Sequence, residues 1–169
     1  MTAYFEDFEI GQTYCHRRAR TFSQEENARW SLQTMNTAEA HWNFEAMRTY
    51  MNGAFDRPLM NAAIVIAVSV GLSSQDMSEQ IVADLELDSV RIPVPAFPGD
   101  TIRVESRVLG KDDDPERPDA GILRYSGVAS NQRNEVVCTF VRAVSIKKRA
   151  GYKESDDLAM GEVWSNVGR

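Results

Sequence analysis

The hydrophobic pattern has its centre in Leu59-Met60-Asn61-Ala-Ala-Ile-Val-Ile-Ala-Val-Ser-Val-Gly-Leu72, a run with no polar face. Its valines and isoleucines would suit a strand, and periodicity does not arbitrate when every face is apolar. Length does. About twelve residues exceed a usual strand, and Asn61 ahead of Ala62-Ala63, with Gly71 near the end, fits a capped helix. A helix apolar on all sides has to be surrounded. The segments Ile81 to Arg91, Thr101 to Leu109, Gly121 to Ser130 and Glu135 to Lys147 read as strands that could wrap it. Pro93 to Asp100, Asp112 to Pro118 and Asn131 to Asn134 carry turn chemistry between them. Hairpin links make the sheet mainly antiparallel. Upstream, Gln12 to Phe22 reads as a further strand. Ser23 follows as the N-cap of a helix to about Gln33, with Glu26 as its capping-box partner. A loop, Thr34 to Asn43, leads to a short helix, Phe44 to about Met51, capped by Asn43 and stopped at Asn52-Gly53. The expected class is α+β, one long buried helix against a curved antiparallel sheet.

Size and composition narrow the picture. A chain of 169 residues has one well-buried core and too little length for two ordinary domains, so residues 1–150 are expected to form the domain and 151–169 a polar tail anchored by Tyr152, Leu158 and Trp164. A formal charge of −6 argues against nucleic acid or an anionic membrane as main partner, since both need a basic face. Cys15 and Cys138 lack both a disulfide framework and metal-ligand spacing and are expected as buried free thiols; no metal site is expected. No signal-peptide pattern opens the chain and no apolar run reaches about 18 residues, so a cytoplasmic protein is expected.

The pieces Tyr4-Phe5-Glu6-Asp7-Phe8-Glu9-Ile10-Gly11, Met35-Asn36-Thr37 with His41, Arg57-Pro58-Leu59, Val90-Arg91, Phe97-Pro98-Gly99-Asp100-Thr101, Arg117-Pro118 with Ala120-Gly121-Ile122, and Val136-Val137 occur in an order and spacing that resembles the MaoC-like hydratases of the hotdog fold. The likeness covers about residues 4 to 148. Within that family it is similar to the subgroup acting on mesaconyl-, itaconyl- or related methyl-branched acyl-CoA thioesters. The family places an aspartate and a histidine five residues apart, usually as Asp-x-Asn-Pro-x-His, over the thioester pocket. Here His41 keeps its place, Asn36 stands at the aspartate position, and Ala38 and Glu39 stand where the family has asparagine and proline.

The resemblance implies a carbon–oxygen lyase that hydrates a short, methyl-branched or dicarboxylic enoyl-CoA, or dehydrates the hydroxyacyl product. Coenzyme A would be part of the substrate, and no separate cofactor is expected. Such chemistry places negative charge on the thioester oxygen, and the backbone N–H groups at Asn61, Ala62 and Ala63 would be its donors. His41 would be the base, because a histidine can take and return a proton near neutral pH. Asn36 can orient a partner but cannot exchange a proton. Three outcomes stay open: His41 shuttles the proton alone, which is favoured; Glu39 or Asp56 takes the missing part; or the site binds thioesters without hydrating them. Glu39 and Asp56 have the ordinary alternative of solvated surface groups, and His16 reads as structural. A hotdog thioesterase and a non-catalytic acyl-CoA-binding protein are the competing functions. The basic runs Arg17, Arg18, Arg20 and Lys147, Lys148, Arg149 read as surface charge, without an assigned phosphate contact. Trp42 and Phe44 read as core or dimer contacts, and the family implies a homodimer or a multiple of one.

Overall fold

A computed structural model describes residues 3–151 of the chain; the tail expected beyond Gly151 lies outside the described residues. In chain order come β1 (Thr13–Thr21), α1 (Gln24–Gln33), α2 (Phe44–Met47), α3 (Ala62–Met77), β2 (Ile81–Arg91), β3 (Thr101–Asp113), β4 (Ala120–Ser130) and β5 (Val136–Lys147), with single 3₁₀ turns at Phe5–Asp7, Glu39–His41, Tyr50–Gly53 and Arg149–Gly151. The strands form one sheet in the order β1-β3-β4-β5-β2, every neighbour antiparallel. The α+β expectation holds, with α3 lying against the sheet.

Alternation along the inner strands builds the core. β3 buries Ile102, Val104, Ser106 and Val108 and turns the intervening residues outward, and β4 buries Leu123, Tyr125 and Ala129 in the same way. Against this face α3 sets Ile64, Val65, Ser69, Ser73 and Met77. At Gly127 a Cβ would fall 2.2 Å from the Phe140 ring. The absence of a side chain lets that buried ring cross β4, where it meets Tyr125 edge-on at 6.2 Å between centroids.

α3 runs five residues beyond the expected end at Leu72. Gly71 is no cap; the helix continues through Ser73-Ser74, whose hydroxyls are satisfied by bonding back to their own helix, Ser73 Oγ to Val70 O and Ser74 Oγ to Gly71 O, both at 2.7 Å. The expectation that α3 is surrounded within one chain is corrected. One sheet covers one side, and Ala63, Ala67 and Gly71 on the other remain exposed. β2 is an edge strand with Leu85 and Leu87 each 48% exposed.

Several local expectations are also corrected. Ser23 accepts from Glu26 N as expected, but the Glu26 carboxylate pairs with Arg20 instead of completing a capping box. α2 is a single turn ending at Met47, not the helix expected to about Met51; a separate 3₁₀ turn follows, in which Met51 and Asn52 take positive φ (48° and 58°) that a helix does not permit. Cys138 is buried, but Cys15 is exposed on edge strand β1, its thiol 3.7 Å from the Glu105 carboxylate. That carboxylate's charge pushes the Cys15 pKa up. Phe44 is 57% exposed and Trp42 partly so; neither belongs to the core of this chain. His16 is buried and structural in its contacts: a register shift in β1 between Cys15 and Ala19 accompanies its inward turn, where Nδ1 meets Asp76 Oδ2 at 2.6 Å and Nε2 meets Ser106 Oγ at 2.9 Å.

The turn before β3 is held by a buried carboxylate. Asp100 Oδ2 accepts from Phe97 N at 3.0 Å, Oδ1 accepts from Gln132 Nε2 and Arg133 Nη1, each at 3.0 Å, and Gly99 supplies φ +92°. Burial opposes ionisation of Asp100, yet the bonds from Arg133, Phe97 and Gln132 outweigh it and hold the carboxyl below its ordinary value. A carboxylate with a lowered folded-state pKa adds stability above its unfolded value of about 3.9, and that stability is lost as pH falls through the folded value. Asp100→Asn is therefore expected to unfold more readily at pH 7, by about 1.5–3 kcal/mol, and to show a shallower fall of melting temperature on acidification. Thermal melts from pH 7 to pH 3 check both.

Candidate active site

The loop between α1 and α2 starts from a tight helix end. Thr34 N bonds Trp30 O and Asn36 N bonds Ser31 O at 2.8 Å, with Met35 in the left-handed region at φ 61°. This geometry turns Asn36 back over α1. Its Oδ1 accepts from Ala38 N at 3.1 Å, which leaves Nδ2 to face His41 Nε2 at 3.2 Å. The other ring nitrogen, His41 Nδ1, lies 3.0 Å from Leu59 O. A carbonyl only accepts, so Nδ1 carries the proton and Nε2, in the neutral ring, presents its lone pair to the Asn36 amide. Asn36 and His41 are thus brought together as their spacing predicts.

Leu59 opens the segment that ends in the cap of α3. Asn61 Oδ1 accepts from Ala63 N at 3.0 Å, while Ile64 N and Val65 N bond to Asn61 O at 3.0 and 3.3 Å. Of the donors expected at the head of the helix, Ala63 N–H is therefore already engaged, and Asn61 N–H is taken by Asn27 Oδ1 at 2.9 Å. Ala62 N–H meets no acceptor among the described residues, and Ala62 itself is exposed. It points along the favourable end of the α3 dipole.

Neither alternative carboxylate reaches His41. Glu39 Oε1 accepts from Asn43 Nδ2 at 3.1 Å, and Asp56 pairs with Arg57 at 3.7 Å with its side chain 92% exposed. In the basic runs, Arg20 pairs with Glu26, Lys148 with Asp113 at 2.7 Å and Arg149 with Asp7 at 2.6 Å. A groove of about 380 Å³ runs along α3 between Ile64 and Leu72, with Trp30 of α1 and Arg18 and Arg20 of β1 on its other wall.

Sequence reasoning missed Asn27. It lies inside α1, has no exposed surface, and donates from Nδ2 to His41 O at 2.9 Å and Leu59 O at 2.8 Å. Ser31, one turn on, accepts from Asn61 Nδ2 at 3.2 Å. Two polar residues at i and i+4 on one helix face were the available signal.

A family model described as mesaconyl-CoA hydratase matches residues 1–162. The mesaconyl-CoA hydratase of Cereibacter sphaeroides is 31% identical over 147 residues, which are 86% of this chain and 41% of that one. A MaoC domain protein from Chloroflexus aurantiacus J-10-fl superposes with a TM-score of 0.80 at 27% identity, over 88% of this chain and 46% of its own. A Mycobacterium tuberculosis protein described as having a double hotdog fold superposes at 0.78, with 19% identity, over 90% of this chain and 46% of its own; that likeness concerns the fold alone. The sheet and helix of this chain form one hotdog unit. It spans about two fifths of the length of the curated relatives it matches.

Proposed function

The chain belongs to the mesaconyl-CoA hydratase family, and from that membership we propose that it is an acyl-CoA hydratase or dehydratase acting on a short, methyl-branched or dicarboxylic enoyl thioester. The observation that carries this reading is the His41 ring, held in one tautomer by Leu59 O, three residues before the unclaimed Ala62 N–H. A base and an oxyanion donor are what the reaction asks for.

In the proposed cycle, water enters between Asn36 and His41. The Asn36 amide donates to its oxygen, and the water donates to His41 Nε2. As Nε2 takes the proton, the oxygen bonds to the β-carbon and the double-bond electrons move to the thioester oxygen, where Ala62 N–H stabilises the enolate. One such donor is worth about 3 kcal/mol. The enolate then collapses, and the imidazolium returns its proton from Nε2 to the α-carbon. Dehydration is the same path reversed. No carboxylate is needed, in keeping with Glu39 and Asp56 being engaged elsewhere.

A panel of mesaconyl-, itaconyl- and crotonyl-CoA incubated with purified protein tests the reading by mass detection. Hydrated thioester from a branched substrate is expected. Free thiol with an unchanged double bond would indicate a thioesterase instead, and binding without turnover would indicate an acyl-CoA-binding protein. The last has one observation in its favour, since the Asn36 amide already occupies the lone pair of the base.

The working unit in this reading is a homodimer or a multiple of one. The exposed Ala63, Ala67 and Gly71 face of α3 and the apolar edge residues Leu85 and Leu87 would lie under the second copy. The doubled length of the relatives is consistent with two units working together. A Leu85→Lys/Leu87→Lys variant is expected to sediment as a monomer and to lose most of its activity; an unchanged sedimentation coefficient would remove β2 from the interface.

A further inference from the structure

The side chain of Asn27 has no exposed surface and joins three backbone groups from three parts of the site: His41 O on the loop, Leu59 O on the segment that sets the imidazole, and Asn61 N at the cap of α3. Leu59 O receives two donors, Asn27 Nδ2 at 2.8 Å and His41 Nδ1 at 3.0 Å. We infer that Asn27 is a positioning residue that fixes the His41 base against the Ala62 N–H donor and, by holding the Leu59 carbonyl in line with Nδ1, keeps Nε2 as the basic ring nitrogen.

Only a primary amide of this length fits the three partners, because two carbonyls need donors and one N–H needs an acceptor. An Asn27→Asp variant would keep the shape and the bond from Asn61 N but turn a second oxygen toward both carbonyls. An Asn27→Ala variant would leave all three backbone groups without this partner. The loop would stay attached through Leu59 N to Ala40 O at 2.9 Å and Gln24 Nε2 to His41 O at 3.0 Å. What these remaining contacts do not supply is the shared link from loop to Leu59 O to helix cap. A small displacement of a reacting group costs about 100-fold in rate.

The kinetic part of this inference rests on the hydratase reading; the tautomer part does not. The test uses the full chain labelled with ¹⁵N, in which His16 and His41 are the two histidines and a His41→Gln variant assigns the signals. Wild type is expected to show neutral His41 protonated at Nδ1, with slowly exchanging Asn27 side-chain protons. Asn27→Asp and Asn27→Ala are expected to populate the Nε2-protonated tautomer and to lose about 100-fold in kcat with a much smaller change in KM. Unchanged tautomer and kcat in a folded variant overturn the inference. If neither variant folds, the wild-type spectrum decides: Nδ1 protonation with protected Asn27 protons supports it, and Nε2 protonation or freely exchanging Asn27 protons overturns it. A tautomer shift in a protein without hydratase activity on any substrate would sink the function and keep the positioning role.

Discussion

His41→Gln is expected to hydrate its substrate about 100- to 10,000-fold more slowly than wild type, the range that a positioned acid–base group contributes. Glutamine is chosen because it keeps the length of the ring and places an amide where Nε2 now stands 3.2 Å from Asn36 Nδ2, while the bond from Nδ1 to Leu59 O is given up. The loop also keeps Ala40 O as acceptor from Leu59 N and His41 O as acceptor from Gln24 and Asn27. Folding should therefore survive, and circular dichroism checks it. Glutamine has no basic lone pair for the water proton. The loss should appear in kcat, with KM little changed, because the imidazole acts on the water and the α-carbon in the transition state. A folded variant of undiminished activity would remove His41 from the mechanism.

Asn36→Asp is expected to raise the hydration rate by about tenfold or more, a part of what a second proton-exchanging group can add. The backbone already suits aspartate: Oδ1 of residue 36 accepts from Ala38 N, a bond a carboxylate makes equally well, and the other side-chain atom faces His41 Nε2 at 3.2 Å. What changes is chemistry. An amide holds water without exchanging protons, whereas a carboxylate here favours an imidazolium, takes the proton from the water itself, and leaves the Nε2 proton of His41 to pass to the α-carbon; the proton then returns from the carboxyl to Nε2. Steady-state rates on the same thioester check this, and a variant slower than wild type would show that Asn36 is fitted to the reaction rather than a substitute for an acid.

Much of the fold and part of this site could be read from residues alone, and the division has physical causes. α3 was legible because Asn61 is a good cap and the run after it is too long for a strand; its true end was not, since the bonds that make Ser73 and Ser74 acceptable inside a helix depend on χ1 choices a sequence does not display. β2 was legible to the residue, but its exposure was not, because an edge strand and an inner strand can share the same apolar content. The contact between Asn36 and His41 was local, five residues apart, and so was expected. The partners that complete it are not local. Asn27 reaches Leu59 over 32 positions and Asn61 over 34, and His16 finds Asp76 over 60. Each of these is a polar residue whose burial makes sense only once its distant partner is in place. The helix-head donors were anticipated as a group, but the Asn61 side chain consumes Ala63 N–H for its own capping, and Ala62 N–H is the one that remains.

The most direct test of hydration by His41 is incubation of the wild-type chain with mesaconyl-CoA in H₂¹⁸O, followed by mass analysis of the intact thioester. One ¹⁸O in the hydroxyl at the β-carbon is expected, with the thioester bond unbroken, and no such product from His41→Gln. Incorporation of ¹⁸O into a free carboxylic acid with release of coenzyme A, or equal incorporation at the β-carbon by both proteins, would contradict it.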